Sequence, residues 1–71
     1  MLVRVFVPKP LDPADGSDLD GTEHEFPALP CVGDLIRFTD HRAGEDFTVD
    51  RVGYIQDGDG FVACSWVKPR A

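Results

Sequence analysis

An all-β fold, a small barrel of about five short strands, is what this sequence predicts, and three observations predict it. Short runs rich in Val, Ile, Phe and Thr recur along the chain, Gly- and Pro-bearing turn signals separate them, and no stretch shows apolar residues at helical spacing over two turns.

The first strand is Leu2 to Val7, where Val3, Val5 and Val7 share one face by period two and Pro8 closes the run. From Pro8 the composition changes to Pro, Gly and Asp, in which neither a helix nor a central strand persists, so residues 8–25 read as a long acidic loop. Glu23 to Phe26 is the one part of its end that could extend as a short strand before Pro27. Cys31-Val32-Gly33-Asp34 is a turn whose Gly33 supplies positive φ, and it leads into the strand Leu35 to Thr39, with Ile36 and Phe38 on one face.

Asp46 to Gln56 is β-rich but changes phase. Phe47 and Val49 fall on one parity and Val52 and Tyr54 on the other, so a bulge or bend near Asp50-Arg51 is needed to bring both pairs to one interior. Asp57-Gly58-Asp59-Gly60 is a hairpin turn, and Phe61 to Val67 is the last strand, with Val62, Cys64 and Trp66 assigned to the core face. The expected core is Val3, Val5, Val7, Ile36, Phe38, Phe47, Val49, Val52, Val62, Cys64 and Trp66. Several short strands with tight turns suit a sandwich or a barrel, and the chain is too short for a sandwich.

With 71 residues there is room for one core, so residues 1–71 are read as a single domain. No apolar run reaches the roughly 20 residues that span a bilayer, and Met1 to Val7 is too short for a signal-peptide core, which leads to the expectation of a cytoplasmic protein without a membrane role. The net charge is -6, and six acids between Asp12 and Glu25 account for it, since the other segments hold seven acids and seven bases. The bases are scattered under a repulsive field, which argues against nucleic acid as a partner. A cytoplasmic setting makes Cys31 and Cys64 reduced thiols.

Leu29-Pro30-Cys31-Val32-Gly33-Asp34-Leu35-Ile36, followed by Phe47-Thr48-Val49-Asp50-Arg51-Val52-Gly53-Tyr54 and a closing strand, resembles a pattern in short, functionally uncharacterised bacterial and phage-associated proteins. These carry a Pro-x-x-Gly-Asp turn before a strand and a bent hairpin after it. The resemblance implies an SH3-like barrel and no activity, and the acidic segment after the first strand departs from it.

Chemistry-bearing sets are few. An EF-type calcium loop with Gly21 sixth would have Asp18 third and Asp20 fifth, but Gly16 first and Pro27 twelfth, where a ligand is needed. Asp15, Asp18, Asp20 and Glu23 remain as candidates for an irregular calcium or small-ligand site. His24, Cys31, His41 and Cys64 lack the close ligand pairs of structural zinc sites, and no nucleophile has an activating motif around it. An enzyme is therefore not expected, nor a cofactor. Arg37, Arg42 and Arg51 form an expected basic strip facing the acidic loop. Phe26, Tyr54 and, if it is exposed instead of entering the core, Trp66 are the candidate protein-binding residues, because exposed aromatics on small barrels line peptide grooves. The sequence thus points to a non-enzymatic protein–protein interaction module or accessory subunit, able to self-associate, with metal or small-ligand binding as the alternative.

Overall fold

The structure is a computed structural model and describes residues 1–8 and 19–70. Its strands are β1 (Leu2–Pro8), β2 (Leu19–Glu25), β3 (Leu35–Arg37), β4 (Asp46–Asp57) and β5 (Gly60–Pro69). They form one sheet in the order β2-β1-β5-β4-β3, curled into a half-barrel, without a helix among the described residues. β1 runs parallel to β5, and every other neighbouring pair is antiparallel.

Alternation decides which face of each strand enters the core. Val3, Val5 and Val7 of β1 are buried, and Val3 and Val5 pair with Ala63 and Ser65 of β5. Phe38, Phe47, Val49 and Val67 complete this interior, with Phe26, Leu29 and Ile36 partly buried against it. The phase change in β4 is resolved by a register shift between Val49 and Arg51, where Asp50 is the extra residue. Phe47, Val49, Val52 and Tyr54 consequently share one face.

The turns follow their glycines. The hairpin between β4 and β5 closes on Gly58-Asp59, with Gly58 at φ 62° and no positive φ at Asp59, the pattern of a II′ turn. Gly33 sits at φ 94°, and the Asp34 amide donates to the Cys31 carbonyl at 3.0 Å, as in a type II turn.

Three expectations are corrected. The core face of β5 is Ala63, Ser65 and Val67, not Val62, Cys64 and Trp66, because the parallel register with β1 sets Val3 and Val5 beside the odd-numbered residues. Cys64 is still buried, since β5 is the central strand and its other face is also covered. Val52 is on the inner face but exposed, because β3 flanks β4 only from Asp46 to Thr48 and no described strand lies beside Val52 on that side. Finally, the later part of segment 8–25, read as loop, is strand β2: seven residues pair with β1, from Leu19 opposite Pro8 to Glu25 opposite Leu2. Residues 9–18 lie outside the described residues. Both cysteines are unpaired, Cys31 exposed and Cys64 buried.

Candidate functional site

The three aromatic candidates do not meet. Phe26 follows β2, Tyr54 lies on the distal half of β4, and Trp66 is half-buried on the sheet face turned away from the core. Each belongs to a separate surface.

Phe26 belongs to a seam. The outermost strands β2 and β3 are the two ends of the sheet order and are not hydrogen-bonded to each other, so the half-barrel stays open between them. Side chains bridge part of the gap: the His24 ring lies 5.7 Å from Phe38, which meets Phe47 edge-on at 5.8 Å. A cleft of about 300 Å³ runs along the seam, lined by His24, Phe26, Leu35, Ile36, Arg37 and Phe38. A second, of about 440 Å³, continues from Phe26, Leu35 and Ile36 over Pro27, Ala28, Leu29 and Pro30. The seam is apolar because β3 turns Ile36 inward opposite Phe47, while Leu35 remains 45% exposed at the rim. Thr22 and His24 share a 2.7 Å hydrogen bond on the facing side of β2.

Arg42 covers the face of the Phe38 ring. Its guanidinium lies 3.8 Å over the Phe38 ring, with 11% of the side chain exposed, and donates to Asp40 at 2.8 Å and 3.3 Å. The side-chain bond from Arg42, then the bond from its backbone amide, holds the Asp40 carboxyl far below the ordinary carboxylate range. Nη1 of Arg42 is buried without a partner among the described residues. Arg37 instead donates to Asp46 at 2.9 Å and 3.0 Å, which lowers the Asp46 carboxyl by the same cause.

Trp66 belongs to a row across the outer face. Arg51, Trp66, Phe6 and Gly21 lie side by side on β4, β5, β1 and β2. The Arg51 guanidinium is 5.1 Å from the Trp66 ring, and Phe6 and Trp66 stack. Arg37, Arg42 and Arg51 therefore form no single basic strip: one is paired with Asp46, one covers Phe38, and one covers Trp66. The isolated Gly53 within a strand was the available signal for this row, since the Trp66 ring passes 3.6 Å from where a Cβ would stand.

Tyr54 belongs to the distal hairpin, where it is 59% exposed and Phe61 on the same face is 68% exposed. Of the acidic candidates, Asp15 and Asp18 lie outside the described residues. Asp20 and Glu23 fall on opposite faces of β2, Asp20 opposite Val7 and Glu23 opposite Arg4, to which it is bonded at 3.1 Å. No group of three metal-ligating side chains occurs among the described residues. No family model, curated protein or solved structure matches the chain.

Proposed function

We propose that the chain is a non-enzymatic protein-interaction module which receives an extended segment of a partner protein along the seam between β2 and β3. The observation that carries this reading is the coincidence of an unjoined sheet edge with an apolar cleft over Phe26, Leu35 and Ile36. A sheet edge offers backbone donors and acceptors to a guest strand, and pockets beside it select alternate side chains. We further infer an SH3-like module, a reading supported by the bent hairpin with its bulge at Asp50 and by the Cys31–Asp34 turn.

The test is affinity purification of the tagged chain from its native host beside a Leu35→Glu variant. Leu35 is exposed enough for the variant to keep its fold, which circular dichroism checks. The expected result is a stoichiometric protein recovered with the wild type and lost with the variant. Equal recovery with both, or recovery of nothing above a tag-only control, contradicts the reading.

A further inference from the structure

We propose that the chain forms a two-fold homodimer in which the free edge of β4, Arg51–Asp57, pairs antiparallel with the same edge of a second copy. This inference is independent of the seam, which lies on other strands.

The edge is free because β3 is short. It pairs with β4 only from Asp46 to Thr48, and Val49 is then bonded to Gly33 and Asp34 of the preceding turn. From Arg51 onward, no strand among the described residues lies on the side of β4 away from β5. Val52 and Ile55 are each 37% exposed there, on opposite faces, beside the more exposed Tyr54. The far end of the hairpin, Ile55–Asp57 with Gly60–Val62, has no third described strand beside it, and a two-stranded ribbon is marginal in water, so a further strand has much to stabilise.

The sequence of this edge selects a second copy as the occupant. Arg-Val-Gly-Tyr-Ile-Gln-Asp carries opposite charges at its two ends, placed symmetrically about Tyr54. In an antiparallel pair centred on Tyr54, each Arg51 lies opposite Asp57 of the second copy, so two opposite-charge cross-strand pairs form from one sequence. Gly53 then faces Ile55, and the two Tyr54 side chains lie opposite each other at the axis. Neither Arg51 nor Asp57 has an ionic partner among the described residues.

The devices that normally keep edges apart are missing from this stretch, which has no Pro, no Lys and no charge between its ends. The other edges differ. β2 carries three acids, Asp20, Glu23 and Glu25, which oppose pairing with a like strand, and β3 has three residues.

Sedimentation of the full chain over a concentration series tests the proposal through charge exchange. Arg51→Asp and Asp57→Arg each set like charges opposite one another and are expected to weaken dimerisation at least about tenfold, whereas the double exchange restores the pairs and the association. Leu35→Glu is expected to leave the dimer unchanged. Circular dichroism and thermal melting of every variant separate a lost interface from a lost fold. A wild type monomeric up to about 1 mM overturns the proposal. So does a double exchange that associates more weakly than either single variant.

Discussion

Phe6 and Trp66 stack across β1 and β5 with ring centroids 5.3 Å apart and planes 14° from parallel, on the face of the sheet opposite the core. Phe6 reclines towards β2, where a Cβ added at Gly21 would stand 2.8 Å from its Cε1 atom. The glycine is there to admit the ring. Gly21→Ala is expected to lower stability by about 1–2 kcal/mol through overpacking. In a Phe6→Leu background the same change is expected to cost less, because the obstructing ring edge is gone. Urea denaturation of the four proteins in this double-mutant cycle measures the coupling.

Among the described residues, Ser65 is the one fully buried polar side chain of the inner face, and its Oγ has no hydrogen-bond partner there. A buried hydroxyl without a hydrogen bond loses its hydration and gains nothing in return. Ser65→Ala removes that loss at almost constant volume, so the variant is expected to be more stable by about 1 kcal/mol. Its urea midpoint should rise with an unchanged m-value.

Arg42 acts through its plane as much as its charge. A guanidinium can lie flat on the Phe38 ring while its edge bonds Asp40, which an ammonium cannot reproduce. Arg42→Lys is therefore expected to destabilise the fold by about 1 kcal/mol, and Arg42→Ala by more, since the Phe38 face is then uncovered. Thermal melts of the two variants check the order.

Asp40 and Asp46 give the fold an acid-sensitive component. Their folded-state pKa values lie below the unfolded value because Arg42 and Arg37 donate to the ionised carboxylates. Such groups stabilise above the unfolded pKa, near about 4, and the contribution is lost as pH falls through the depressed values. The melting temperature is expected to fall between about pH 5 and pH 2, and to fall less steeply in Asp40→Asn or Asp46→Asn. Parallel curves for wild type and variants contradict this assignment.

The parts of the fold legible in the sequence are those fixed by local chemistry. Gly33 and Gly58 mark turns that need positive φ, and the parity change between Val49 and Val52 announces the bulge at Asp50. Strand β5 was legible as a strand, but its core face was not. Phe61, Ala63 and Val67 on one parity compete with Val62, Cys64 and Trp66 on the other, and side-chain size favours the wrong set. The choice comes from the parallel register with β1, a pairing between the two ends of the chain that no local pattern records. Strand β2 is hidden for a related reason: its acids oppose β propensity, and pairing with β1 over its whole length overrides them. Of the site, Phe26 and Tyr54 are visible as aromatics, but the seam beside one and the free edge beside the other depend on where β3 stops.

The open sheet is the claim on which both the seam and the β4 edge rest, and amide hydrogen exchange by NMR on the monomer tests it most directly. Amides of Val3–Phe6 and Ala63–Trp66, whose strands are paired on both sides, are expected to be protected close to the global stability, while alternate amides of β2 and of Arg51–Gln56 exchange as solvent-exposed groups. Uniform protection along β2 and the distal half of β4 in the monomer would contradict it, because those edges would then already be covered.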